Sequence, residues 1–149
     1  MNSNPNRMIV RSYRESDRES VIELWQSVFP NDPPWSEPHD VIERKRSVQK
    51  ELFLVCELDG AMVGTVLAGF DGCRGWVHHL AVHPAYRRRG FTTQLMRSAE
   101  QGLITLGCPK LNLQVRASNA EVVAFYESLG FNVEERISLG KPLGRWANA

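Results

Sequence analysis

Apolar positions recur along this chain with two periods, and the switches between them predict the order of elements. An apolar start over residues 8–12 reads as a first strand. Ser16 and Glu19 stand at capping-box spacing, and Val21, Ile22, Trp25, Val28 and Phe29 then follow at helical intervals. Pro30, Pro33 and Pro34 predict where that helix stops. A weaker helical pattern covers residues 39–50. Two β-rich runs, residues 52–58 and 61–69, flank Asp59-Gly60, a strong hairpin signal. Asp71-Gly72 marks a further turn, and residues 76–82 predict a third strand of the meander. Phe91, Leu95, Met96, Ala99, Leu103 and Leu106 then form one apolar helical face, with Gly107 placed to end it. A short strand is predicted over 111–115. Ser118 and Glu121 form a second capping-box pair, opening a helix through Val122, Phe125 and Leu129 with Gly130 at its end. Residues 131–139 read as a closing strand.

The predicted order is therefore β-α-α-β-β-β-α-β-α-β. Strand, helix and strand across residues 76–115 imply a parallel pairing through a crossover. The expected fold class is α/β (α+β): a mixed, mostly antiparallel central sheet with helices on both faces. No repeat or linker divides the chain, so one domain is expected over residues 8–149. The polar, Asn-rich residues 1–7 read as a frayed tail with no signal-peptide core.

Composition narrows the function classes. The 149 residues carry 18 basic and 17 acidic side chains, a net charge of +1. That balance disfavours broad binding to nucleic acid or to an anionic membrane, and no apolar run approaches the roughly 18 residues of a membrane span. Cys56, Cys73 and Cys108 are odd in number and contain no CxxC pair. They read as bystander thiols of a cytoplasmic protein rather than a disulfide or zinc framework.

The segment richest in chemistry is Leu80-Ala81-Val82-His83-Pro84-Ala85-Tyr86-Arg87-Arg88-Arg89-Gly90-Phe91-Thr92. A strand ends, an arginine-rich turn follows, and a long helix opens. The first turn of a helix offers unpaired N–H groups and the positive end of the dipole, a natural seat for an anion. Gly90 lets the backbone approach a guest, and the arginines supply forked donors for phosphate oxygens. A solvated arginine-rich surface is the bland alternative. No Gly-x-x-x-x-Gly-Lys-[Ser/Thr] occurs, which disfavours a nucleotide triphosphatase. Asn119 and Tyr126, seven residues apart, share one helical face two turns apart. By itself Tyr126 could equally be a core aromatic. Trp35, in the Pro-rich loop, fits either a plug over the core or a contact to substrate.

Arg87-x-x-Gly90-x-Thr92 after Leu-Ala-Val resembles the acyl-CoA signature of the GNAT superfamily of N-acetyltransferases. The run from Val115 to Phe131 is similar to the closing motif of ribosomal-protein alanine N-acetyltransferases. The chain as a whole looks like the YpeA-like acetyltransferases, a likeness that includes the Trp35 loop, Ile42-Glu-Arg-Lys45, Gly107-Cys-Pro-Lys110 and Ser138-Leu-Gly-Lys141. The resemblance implies a GNAT-type fold and acetyl-CoA as co-substrate. It assigns Leu80, Ala81 and Val82 to the pantetheine arm, and Arg87, Arg88, Arg89, Gly90, Phe91 and Thr92 to the pyrophosphate. It gives Asn119 a cofactor contact and Tyr126 the role of general acid to the departing thiolate. An amine would attack the thioester directly, with the oxyanion received by the Val82 N–H and no metal involved.

Two positions depart from the family pattern. Thr92 replaces a small Gly or Ala, and Gln114 stands where the ribosomal alanine enzymes carry a glutamate proposed as base. Trp35 and Gln114 become candidate substrate contacts, while His78 and His79 are the remaining candidate proton acceptors, or else plain sheet residues. An α-amine with a pKa of roughly 7.8 is neutral about once in seven at pH 7, a lysine at roughly 10.4 about once in 2,500. A site without a strong base therefore favours weakly basic primary amines, such as protein N-termini or small-molecule amines. A non-catalytic acyl-CoA-binding module is the alternative, and monomer and homodimer are both compatible with the sequence.

Overall fold

The computed structural model describes residues 7–148. The expected tail at residues 1–7 lies outside them except for Arg7, whose main chain is tied to Asp59: its N–H donates to Asp59 Oδ1 at 3.2 Å and its carbonyl accepts from Asp59 N at 3.1 Å. The chain divides into two compact units, the first ending at Asn112 and the second beginning at Leu113. No helix among the described residues is long and apolar enough to cross a membrane.

The first unit holds β1 (Met8–Ser12), α1 (Arg18–Val28), α2 (Pro38–Arg46), β2 (Phe53–Leu58), β3 (Ala61–Phe70), β4 (Gly75–Val82), α3 (Phe91–Thr105) and β5 (Leu111–Asn112). The strands lie in the order β1-β2-β3-β4-β5. The first three pairings are antiparallel, and β4 pairs with β5 in parallel through the α3 crossover. The mixed sheet expected from the pattern is present. Asp59 (φ 51°) and Gly60 (φ 85°) are both left-handed, the conformation a two-residue hairpin turn requires.

Alternation along the strands sends side chains to two cores. On one face Val21, Ile22, Leu24 and Trp25 of α1 and Val41 and Ile42 of α2 pack with Phe53, Val55, Leu67 and Ala81. On the other face α3 comes close enough that a Cβ on Gly64 would stand 3.0 Å from Leu95 Cδ1, and one on Gly75 3.2 Å from Leu103 Cδ1. Helices thus cover both faces of the sheet. α3 ends where predicted, at Gly107 with φ 81°.

Three local expectations in this unit need correction. Helix α1 starts at Arg18 with Asp17, not Ser16, at its N-cap. Asp17 is buried, held bidentately by Arg11 (2.8 and 2.9 Å) and bonded by the Arg14 N–H (2.7 Å), so its carboxylate closes the turn before the helix and the expected Ser16–Glu19 pair does not cap it. The second helix stops at Arg46 instead of reaching residue 50. Gln49 turns left-handed (φ 48°), and its side-chain amide exchanges two hydrogen bonds with Phe70, donating to the carbonyl at 2.9 Å and accepting from the N–H at 2.7 Å. The fifth strand is two residues long, not five.

The second unit contains α4 (Ala120–Ser128) and no strand among its described residues. Helix α4 is preceded by Asn119 at the N-cap, with no cap bond from the Ser118–Glu121 pair. The Phe131 N–H donates to Tyr126 O at 3.1 Å around a left-handed Gly130 (φ 96°), a helix-closing turn. The expected closing strand over residues 131–139 does not form. Val133, Ile137 and Leu139 alternate as a strand would, yet they are 73, 89 and 91% exposed. An alternating pattern becomes a strand only where a partner takes its N–H and C=O groups.

Candidate active site

The loop between β4 and α3 is shaped by backbone conformation before side chains enter. After a 3-10 turn over Pro84–Tyr86, Arg87 is extended, Arg88 is left-handed (φ 63°), and Gly90, the N-cap of α3, is left-handed again (φ 83°). A turn of this kind can bring successive N–H groups together at a helix start, where they suit an anion. No side chain caps α3, and the Gln94 N–H is the first to close the helix, onto Gly90 O at 3.1 Å. The N–H groups of Phe91, Thr92 and Thr93 ahead of it are the unpaired first turn. A Cβ on Gly90 would touch nothing within 4 Å, so this position calls for glycine through its φ rather than through close approach.

Arg87, Arg88 and Arg89 are exposed. The Arg89 guanidinium lies 5.7 Å from the centroid of the Tyr86 ring and 5.6 Å from that of Phe91, a cation-π bracket that holds this charge beside the helix start. Val82 and Ala81 are buried at the end of β4, and Leu80 is half-buried.

β4 is not regular. Thr65 pairs with Ala81 and Leu67 with His78, so His79 and Leu80 together oppose Val66: a β-bulge, with His79 at φ 51°. The β4–β5 ladder covers only Gly75 with Leu111 and Trp76 with Asn112. The bulge has its own polar support. Trp25 Nε1 donates to Thr65 Oγ1 at 2.8 Å, and that hydroxyl donates to the His79 carbonyl at 2.9 Å.

The two histidines differ in their fitness as proton acceptors. The His79 ring lies 4.6 Å from Trp25 and 5.6 Å from Phe29 between centroids, and both its nitrogens are buried without a partner. Burial first, then the charges of His78 and Arg44, push its pKa down to about 4. At neutral pH it is uncharged and a poor base. His78 is exposed and held less far below the usual value, by desolvation first and by Lys45 next. Lys45 itself donates to the Ala68 carbonyl, and burial holds its own pKa down. Trp35 is 37% exposed, so the ring is not a sealed plug. Its carbonyl accepts from Arg44 Nη2.

Within the second unit, the Tyr126 ring packs edge-on to Phe125 (5.3 Å) and Phe131 (5.6 Å). Burial pushes its phenol up to about 12. Asn119 is exposed, and its carbonyl accepts from the Val123 N–H at 3.3 Å. Gln114 is exposed and donates through Nε2 to Ser138 Oγ. None of the cysteines is disulfide-bonded. Cys56 is buried, which pushes its thiol up to about 11 and makes it inert as a nucleophile.

The sequence profile of the acetyltransferase (GNAT) family matches residues 18–131. The chain belongs to that family. An acetyltransferase of Yersinia enterocolitica is 46% identical over 136 residues, spanning 91% of this chain and 96% of its own. One from Pectobacterium atrosepticum is 43% identical with the same coverage. Among solved structures, the aminoglycoside N-acetyltransferase AAC(6')-Iy in complex with CoA superposes with a TM-score of 0.78 over 95% of this chain and 99% of its own. Its 19% identity makes that a likeness of fold. The ribosomal-protein alanine N-acetyltransferase of Escherichia coli gives 0.68 at 29% identity, over 85% of this chain and 78% of its own. The expected fold class and acetyltransferase activity of this GNAT enzyme stand on these likenesses.

Sequence reasoning missed Thr65 and the bulge at His79. The one available signal was a hydroxyl inside the apolar run Val63 to Ala68, since a polar side chain there must find partners once buried.

Proposed function

We propose that this acetyltransferase moves the acetyl group of acetyl-CoA to a primary amine of low basicity, by direct attack of the amine on the thioester. The observation that carries the reading is the Arg87–Thr93 loop: two left-handed residues, an uncapped α3 start and three exposed arginines make a seat for a diphosphate. Leu80, Ala81 and Val82 lead into this seat and receive the pantetheine arm, with the Val82 N–H donating to the oxyanion. Asn119 contributes a further cofactor contact.

The acceptor class follows from the weakness of the available bases. Gln114 cannot take a proton usefully at neutral pH, and His79 near 4 is too acidic when protonated to hold one. His78 remains as an acceptor, acting directly or through water. Deprotonating a lysine instead of an α-amine would add about 2.6 pKa units, roughly 3.5 kcal/mol, to the work of reaching the nucleophile. The α-amine of a peptide or a comparably weak small-molecule amine is therefore the favoured acceptor, contacted by Trp35 and Gln114.

Tyr126 is assigned to the departing sulfur as a hydrogen-bond donor. With its phenol near 12 and a thiol at roughly 8.5, full proton transfer would be uphill by about 3.5 units, about 5 kcal/mol. A hydrogen bond that strengthens as negative charge builds on sulfur suits this group better. The test is thiol release from acetyl-CoA across a panel of amines that includes peptides beginning in Ala or Ser. Tyr126→Phe should lower turnover about 10- to 100-fold with coenzyme A affinity nearly unchanged. Equal turnover in the two proteins removes Tyr126 from the reaction, and failure of the wild-type protein to bind coenzyme A removes the proposal altogether.

A further inference from the structure

We infer that Thr65, oriented by Trp25, is a positioning residue for acetyl transfer: its hydroxyl pins the His79–Leu80 peptide at the β4 bulge and so sets the direction of the strand that follows. This rests on the reading that Leu80 to Val82 receives acetyl-CoA.

Thr65 is fully buried, between Gly64 and Val66 on β3, where a valine has the same shape but no hydroxyl. Both functions of its hydroxyl are used. It accepts from the equally buried Trp25 indole at 2.8 Å and donates to the His79 carbonyl at 2.9 Å. That carbonyl belongs to the extra residue of the bulge, where the regular ladder is interrupted. His79 is also left-handed at φ 51°, a conformation a non-glycine residue keeps only where its surroundings impose it. The relay from α1 through β3 to β4 supplies that constraint. Without it the peptide after His79 is free to rotate toward the ordinary β region, and the N–H and C=O groups of Leu80 to Val82 lose their fixed aim. A catalytic donor displaced by a fraction of an ångström is weakened in the transition state more than in ground-state binding.

The experiment compares Thr65→Val, which keeps shape and removes the hydroxyl, with Thr65→Ser, which keeps the hydroxyl. Thr65→Val should lower maximal thiol release from acetyl-CoA about 10-fold, with the acetyl-CoA KM rising less than about threefold. Thr65→Ser should recover turnover to within about twofold of wild type. The amide resonances of Leu80, Ala81 and Val82 should move in Thr65→Val and stay in place in Thr65→Ser. A folded Thr65→Val with wild-type turnover, or a Thr65→Ser as impaired as the valine variant, overturns the inference. If Thr65→Val does not fold, Trp25→Phe takes its place, with the same resonances moving and a smaller loss of turnover expected; unmoved resonances there overturn it as well. A wild-type protein that neither binds coenzyme A nor releases thiol defeats the functional reading instead, while the resonances still report whether Thr65 holds the bulge.

Discussion

Taking the protein from pH 7 to pH 5 should cost about 2 kcal/mol of stability through His79 alone. Its imidazole sits against Trp25 and Phe29 with both nitrogens buried and unpartnered, and burial, His78 and Arg44 together bring its pKa down to about 4 from an ordinary 6.5. A histidine depressed in this way is neutral in the fold and takes up a proton readily only when unfolded. The unfolded chain therefore binds more protons between about 6.5 and 4. The stabilisation is fully present above the unfolded value and is lost as pH falls through this window. Integrating the two titrations from pH 7 to 5 gives about 1.8 kcal/mol, or roughly 1 M in urea midpoint for a domain of this size. Asp17, also held below its ordinary value, is ionised in both states across this range and does not contribute there. His78 shifts in the same direction, so the measurement must isolate His79. Urea unfolding of wild type and His79→Asn at both pH values does this, because asparagine tolerates the left-handed backbone and does not titrate. The fall between pH 7 and 5 should shrink by about 1 M in the variant. Equal falls in the two proteins would refute a neutral, buried His79.

Three further substitutions probe the framework and the loop. Gly90→Ala places a Cβ at φ 83° and should strain the loop by about 1 to 2 kcal/mol, read as roughly tenfold weaker coenzyme A binding by calorimetry. Gly64→Ala brings a Cβ to 2.9 Å from the Ala81 carbonyl, which is main chain and cannot swing aside. It should destabilise the fold by about 1 to 3 kcal/mol in urea. Asp17→Asn leaves the half-buried Arg11 guanidinium with one carboxylate, Glu57 at 3.4 Å, beside the Ser12 carbonyl at 3.1 Å, and should cost about 2 kcal/mol in the same assay, with coenzyme A affinity retained.

What could be read in advance has a common character: it depends on neighbours in sequence. Asp59-Gly60 specifies its turn because both residues tolerate left-handed backbone, and Gly107 ends α3 for the same reason. The apolar face of Phe91, Leu95, Ala99 and Leu103 is set by the helical period, and all four are buried. The opening of α3 after Gly90 was legible because the apolar period and the glycine mark where the helix begins. What could not be read depends on partners far along the chain. The second helix was expected to run to residue 50, yet Gln49 turns left-handed and its side chain pairs with Phe70, twenty-one residues on. Residues 131–139 alternate correctly and still form no strand.

The sequence by itself determined the family, the order of the elements through α4 and the start of α3 after Gly90, because each is encoded in period, turn chemistry and contiguous motif. Only the tertiary structure decided that β4 bulges at His79, that Trp25 and Thr65 hold that bulge, and that burial strips His79 of its usefulness as a base. Strand register, desolvation and hydrogen bonds between α1, β3 and β4 are properties of positions that meet only in the folded chain.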